Sequence, residues 1–308
     1  MFAALDKNTS LGFALAGFGT LLFSLKSIFI KFLYIEGLNA DIVLVLRMAI
    51  SLPIYLAILW WALIKNSPGD KIQPSVVFKI FLLGFFGYYL ASLLDLMSLE
   101  LISAQLERLG LFTYPFMVAV LGYFFFDERI TKRIVFSLIV TYAGLYVVMG
   151  QELKLTGDGV IEGTLLVLGS ALSFAFYVLF SKKHIRHLGS QLFTCIAMIS
   201  SCLFGLVHGY IVLDIDTVVI NQMAWFWLFM LVVLSTVIPS FMMVEAIDRV
   251  GATQTGIVGM LGPIFTIALA AYLLDEPLTL WLLLGVTLMM IGVWNLMRSS
   301  NTAQQKSI

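Results

Sequence analysis

A chain of 308 residues that is 61% hydrophobic and only 12% charged, with a mean hydropathy of +1.02, is not a soluble globular protein, for which about 45–50% apolar and about 25% charged residues are usual. A formal net charge of zero removes the electrostatic case for nucleic acid. The composition predicts one polytopic, all-α membrane body.

A helix needs about 20 apolar residues to cross about 30 Å of hydrocarbon, and ten segments meet that demand. The first, 11–34, is too long for a signal-peptide core and no small-residue cleavage site follows it, which predicts a retained first helix. GLNAD separates it from 41–64, and KNSPGDK leads to 76–99. Spans 102–126 and 133–150 are parted by FDERITKR, and KLTGDG leads to 160–181. SKKHIRHLG precedes 190–213, LDIDT precedes 223–246, and DEPLT parts 252–274 from 279–298. Cys195 and Cys202 share one face of the seventh span with no His or carboxylate near them in sequence, so they read as packing residues. No metal and no cofactor is expected.

Orientation follows the basic residues. With a cytoplasmic N-terminus, thirteen of the eighteen Lys and Arg fall on the cytoplasmic side: Lys7, Lys65, Lys71, Lys79, Arg129, Lys132, Arg133, Lys182, Lys183, Arg186, Arg249, Arg298 and Lys306. Only Lys154 lies outside, with Lys31 and Arg108 near that boundary, so both termini are expected inside. The segment KKHIRH, Lys182 to His187, reads as an orientation signal and headgroup contact.

The chain also repeats itself. LFTYPFMVAVLGYFFFDERI, Leu111 to Ile130, aligns with MLGPIFTIALAAYLLDEPL, Met260 to Leu278. A shift of 148 pairs Pro115 with Pro263, Asp127–Glu128 with Asp275–Glu276, Gly144 with Gly292, Ser92 with Ser240 and Glu100 with Asp248. Near the starts, a shift of 151 pairs Phe23 with Phe174 and Lys31 with Lys182. Two five-helix units are therefore expected, 1–150 and 151–300, followed by a cytoplasmic tail, 301–308. An odd number of crossings per unit inverts the second copy, a common build for secondary transporters with a midplane site between the halves.

The first helix carries F-S-x-K-x-x-x-x-K, Phe23 to Lys31, and Arg47 stands early in the second. Each half ends in a helical Pro, an acidic D-E and a Gly-containing helix. In these features the chain resembles the EamA family of the drug/metabolite transporter superfamily, over roughly residues 11 to 298. The resemblance implies a ten-helix carrier of the bacterial inner membrane, working by alternating access around a central cavity. The sequence departs from the family where Phe23, Ser24 and Lys26 replace Trp-Gly and Asn. It departs again where Gln105, Glu107 and Arg108 open the fourth span, so no substrate is carried over.

Lys26 is the puzzle of the first span. A lysine in mid-membrane costs about 2.5–3.5 kcal/mol on insertion scales, and Lys26 lies roughly 22 Å along its helix at 1.5 Å per residue. At similar depth stand Arg47, Asp95, Glu107 and Arg108, and intramembrane charges usually face a bundle interior and pair with one another. If Asp95 and Glu107 neutralise two of the bases, one positive charge remains for a carboxylate or phosphate. The equivalent positions in the second half are uncharged, with Tyr177 for Lys26, Met243 for Asp95, Thr255 for Glu107 and Gly256 for Arg108. Tyr88, Ser92 and Asp95 share a helical face, and Tyr114 shares another with Glu107. These nine residues form the candidate substrate site: Lys26, Arg47, Tyr88, Ser92, Asp95, Glu107, Arg108, Tyr114 and Tyr177.

Pro115 and Pro263 are candidate paired hinges, or packed structural kinks. Glu245 is a candidate proton-coupling carboxylate, or a solvated helix end paired with Arg249. Asp127–Glu128 and Asp275–Glu276 read as helix-end devices. The function expected is a secondary transporter for a small organic metabolite, amino-acid-like or anion-bearing, with membrane lipids as its other partners. The alternative is a membrane-embedded enzyme acting on a lipid or prenyl substrate, which would need metal ligands or an acid/base pair that the three histidines do not supply. Lys26→Ala is expected to abolish transport with folding intact.

Overall fold

The computed structural model describes residues 7–65, 73–127, 130–214 and 219–305, and every regular element among them is helical. In chain order these are α1 (Lys7–Ile35), α2 (Ala40–Lys65), α3 (Pro74–Leu101), α4 (Ala104–Phe126) and α5 (Lys132–Thr156). The second half runs α6 (Val160–Leu188), α7 (Ser190–Val212), α8 (222–250), α9 (252–273) and α10 (Leu280–Gln305). Nine are long and apolar enough to cross a bilayer among the described residues, and α10 carries a shorter apolar stretch, Leu280–Leu296. The chain is thus a ten-helix membrane protein built as two inverted five-helix repeats. Of the predicted breaks, KNSPGDK and LDIDT fall largely outside the described residues, as do Glu128, Arg129, residues 306–308 and every side chain of the 301–308 tail.

Packing obeys the inversion. The first helix α1 lies against α8 and α9 of the other half, and its counterpart α6 lies against α3 and α4. The remaining equivalents meet directly, α2 on α7 and α5 on α10. Each half therefore lends its first helix to the other half's core. One buried cluster gathers Ile28, Leu33, Leu44, Leu96 and Leu228, and another gathers Leu106, Leu109, Val148, Val167 and Met289. Large apolar side chains such as Trp60, Phe124, Tyr210 and Trp281 point outward, where lipid replaces water as solvent.

Three helices outrun their predicted ends by six or seven residues, α10 reaching Gln305. α5 continues through Lys154 to Thr156, and α6 continues through the KKHIRH segment to Leu188. Lysine and arginine are good helix formers, so a charge run marks where a helix leaves the hydrocarbon, not where it stops. α5 and α6 stop where Gly157 (φ 78°) and Gly189 (φ 81°) adopt a conformation that suits glycine.

Two other helices are interrupted. α3 contains a π-helical turn over Phe85–Leu90, and α8 contains one over Val233–Val237, at the repeat shift of 148. α4 breaks after Ala104–Leu111 and resumes at Tyr114–Phe126, and α9 breaks after Ala252–Gly259 and resumes at Gly262–Leu273, again in register. Pro115 and Pro263 each stand in the first turn of the resumed segment, where a missing N–H is tolerated. Asp127 (φ 52°) and Asp275 (φ 54°) close these segments in the left-handed region.

The α5–α10 seam brings backbone against backbone. A Cβ on Gly292 would meet the Ser137 carbonyl at 2.8 Å and the Thr141 amide nitrogen at 3.1 Å. Gly292→Val is expected to cost about 1–3 kcal/mol through overpacking, read as a lowered unfolding midpoint in detergent. Gly17→Val, with nothing within 4 Å of its Cβ, serves as the control.

Candidate functional site

The short segment Ser24–Ser27 of α1 is a polar stripe in an apolar helix. Three residues apart, Ser24 and Ser27 share a face, and the two hydroxyls serve different neighbours. Ser24 Oγ donates to the Gly262 carbonyl of α9 at 3.1 Å and to its own Thr20 carbonyl at 2.8 Å. Ser27 Oγ donates to Glu107 Oε2 of α4 at 2.6 Å. Between them, Lys26 Nζ donates to Asp95 Oδ2 of α3 at 2.7 Å and lies 3.9 Å from Glu107 Oε1. One ammonium therefore serves two carboxyl groups. The Lys26 side chain is 19% exposed, Asp95 3% and Glu107 0%. Asp95 Oδ1 and Glu107 Oε1 are buried with no hydrogen-bond donor among the described residues.

The Arg47 guanidinium on α2 completes the group from the other side. Arg47 is 6% exposed, lies within electrostatic reach of Asp95, Tyr34 and Cys202, and makes no hydrogen bond or ion pair among the described residues. A buried arginine normally fills several of its five donors. This one has none filled by the described residues.

Arg108 points elsewhere. Its Nε donates to Thr266 Oγ1 of α9 at 2.9 Å and its Nη2 to the Phe23 carbonyl of α1 at 2.8 Å. It is a clamp between halves, held by neutral oxygens. The expected pairing of each acid with its own base is thus replaced by Asp95 and Glu107 both on Lys26, with Arg47 unpartnered and Arg108 apart.

The aromatic members form a second group. Tyr88, in the π turn of α3, meets Tyr177 of α6 through their hydroxyls at 3.1 Å, with ring centroids 4.9 Å apart. Gly87 lets this happen, because a Cβ there would lie 2.7 Å from Tyr177 Cβ. Tyr114 stands edge-on to Phe174 of α6 at 5.2 Å, and Ser92 is half-buried on α3. Glu245 lies away from both groups. Half-exposed near the end of α8, it accepts from Arg249 Nε at 2.7 Å, and Arg249 also reaches Asn8.

Sequence reasoning missed the residues that seat α4. Glu276, from the second half, accepts from the Ala104 and Gln105 amides at 2.8 and 3.1 Å, and Glu152 accepts from the Ser103 amide and hydroxyl at 2.6 Å each. Carboxylates at a helix N-terminus satisfy orphan N–H groups and complement the dipole. Burial pushes the Glu276 carboxyl above the ordinary glutamate value, and the two backbone donors pull it back down. The D-E pair is expected to end its own helix, whereas Glu276 caps one whose start lies 172 residues away in sequence. Beside this end opens a cleft of about 400 Å³ lined by Lys31, Tyr34, Glu100 and Glu276. Its wall residue Tyr34 lies within electrostatic reach of Asp95 and Arg47.

A family model described as the EamA-like transporter family matches residues 10–150 and again residues 161–298, one match per half. The chain is 29% identical over 275 residues to the uncharacterized transporter YcbK of Bacillus subtilis (strain 168), covering 87% of this chain and 86% of that one. An uncharacterized transporter of Archaeoglobus fulgidus is 21% identical over 246 residues, covering 75% and 81%. A solved crystal structure superposes with a TM-score of 0.63 over 93% of this chain and 96% of its own at 14% identity, a likeness of fold alone.

Proposed function

The chain belongs to the EamA-like transporter family, and from that premise we propose a secondary carrier that moves a small anion-bearing organic metabolite, amino-acid-like in kind, by alternating access. The membrane is the bacterial inner membrane, with both termini cytoplasmic as the basic residues argue. The units are 1–150 and 151–300 with the tail 301–308. Their paired interruptions at Pro115 and Pro263, and the paired π turns, are the places where the helices bend as the halves rock. Discontinuous helices of this kind surround the substrate sites of many inverted-repeat carriers.

One observation carries the substrate class: the Arg47 guanidinium, 6% exposed and without a hydrogen bond or ion pair among the described residues, beside a Lys26 already engaged by acids. A carboxylate docked on Arg47 would fill its donors bidentately. Lys26 then holds Asp95 and shares in the capture, and Tyr88, Tyr114 and Tyr177 wall the apolar part of the substrate. Arg108 positions α4 against α1 and α9. Glu245, half-exposed and bonded by Arg249, has no part in this reading.

A ligand-induced thermal-shift screen tests it, with amino acids, nucleosides, sugars and vitamins added to the detergent-solubilised wild type and to Lys26→Ala. The expected result is stabilisation by a carboxylate-bearing member only, in the wild type and not in the variant. Stabilisation solely by an uncharged sugar or a cation would sink the assignment.

A further inference from the structure

We infer that Glu107 holds a proton which it shares with Asp95, so that the buried cluster carries one net positive charge and takes up one proton together with one anionic group. This rests on the carrier reading above and adds the coupling ion to it.

Donors around the two carboxyl groups fall short of the oxygens that need them. Glu107 is wholly buried, and its two oxygens need donors that the surroundings supply only once, through Ser27 Oγ to Oε2. Lys26 Nζ, 3.9 Å from Oε1, is beyond hydrogen-bond distance. Asp95 is in the same position, with Oδ2 on the ammonium and Oδ1 unfilled. The two carboxyl groups stand within hydrogen-bond reach of each other. Two neighbouring buried carboxyl groups, each with an oxygen that no donor among the described residues fills, are costly. A proton on Glu107, shared with Asp95, supplies the missing donor between the two carboxyl groups and removes the second buried negative charge. It belongs to Glu107 because Asp95 makes the short contact to the ammonium.

The surroundings leave the proton few rivals. From α1 come Lys26 and Ser27, and more distantly Lys31. From α2 comes Arg47, and from α3 Asp95 itself. Arg108, the next residue on α4, spends its donors on Thr266 and Phe23. α6 and α9 face α4 with Val167, Ile267 and Thr266, which carry no charge. From α5, Glu152 is occupied by Ser103 at the helix start.

With the proton in place, Lys26 and Arg47 outnumber Asp95 by one positive charge, which suits a single carboxylate. Without it, the two bases and two acids cancel and the attraction for an anion falls. Each ligand then favours the other by the same factor, as linkage requires. The proton arrives from water on the side where the anion enters and returns to water where the anion leaves, so the pair travel together.

Infrared spectra of the lipid-reconstituted protein at neutral pH, with no ligand present, test the site through the carbonyl stretch of a protonated carboxyl. The wild type is expected to show a buried carboxylic-acid band that disappears in Glu107→Gln, a variant that still offers Ser27 an acceptor. The band is also expected to disappear in Asp95→Asn, where Lys26 is freed to pair with Glu107. A missing band in the wild type, or one that survives Glu107→Gln, overturns the proposal. So does a band lost in Glu107→Gln but retained in Asp95→Asn, which would make Glu107 an ordinary buried acid sharing nothing. Should Glu107→Gln fail to fold, the wild-type and Asp95→Asn spectra still decide. These spectra contain no substrate, so their failure removes the proton and leaves the carrier reading to the thermal-shift screen.

Discussion

Lys26→Ala is expected to abolish the ligand-induced thermal shift and transport, and also to lower the unfolding midpoint of the ligand-free protein. The protein is still expected to fold, with a smaller margin of stability. Lys26 supplies the one short contact from a base, among the described residues, to an Asp95 side chain that is 3% exposed. Removing one partner of a buried pair leaves an uncompensated charge, which typically costs about 3–5 kcal/mol. Part of that cost returns if Asp95 takes a proton, so the loss should be greater at high pH than at low pH. The double variant Lys26→Met, Asp95→Leu is expected to recover the midpoint, because it removes the orphaned charge with its partner, and to remain inactive. Thermal unfolding of the three proteins in one detergent decides the matter. A single variant as stable as the wild type would mean that the ammonium does not neutralise Asp95. A double variant that still responds to ligand would mean that Lys26 takes no part in capture.

Arg47→Met is expected to do the reverse to stability and the same to binding. Arg47 is 6% exposed and makes no hydrogen bond or ion pair among the described residues, so the folded protein bears most of its desolvation with no protein bond in return. Replacing buried ionic groups with apolar ones of similar volume is often stabilising by about 1–4 kcal/mol. Asp95 loses a distant attraction but keeps Lys26. A raised unfolding midpoint together with a lost ligand shift would mark Arg47 as a residue kept for function at a cost in stability. A lowered midpoint would show that Arg47 is structural, and the anion site would have to move to Lys26 alone. Such opposite signs in two neighbouring cations are a sharper test than either loss of activity, since general misfolding lowers both midpoints.

Much of this protein is legible without coordinates. Spans of about 20 apolar residues follow from the thickness of hydrocarbon, and the ten helices are where composition puts them. The inversion follows from five crossings per half, and Pro, Asp-Glu and Gly repeating at a shift of 148 locate the matched interruptions of α4 and α9. The π turns of α3 and α8 are not legible, because α- and π-helical backbones differ by a one-residue slip in hydrogen bonding that leaves side-chain composition unchanged.

Depth along the membrane normal is a property of sequence position, and hydropathy alone set Lys26, Arg47, Asp95, Glu107 and Arg108 at one level. Which of them meet depends on rotation about each helix axis and on the neighbour that each face finds. Successive residues of a helix point about 100° apart, and so Glu107 turns to Lys26 and Ser27 while Arg108, one residue later, turns to Thr266 and the Phe23 carbonyl. Only the packed bundle decided that two acids share one lysine, that Arg47 stands without a partner, and that Glu276 caps a helix of the opposite half. Hydrocarbon selects residues by polarity, one span at a time, whereas pairing is a contest among side chains from several spans for the same few ångströms.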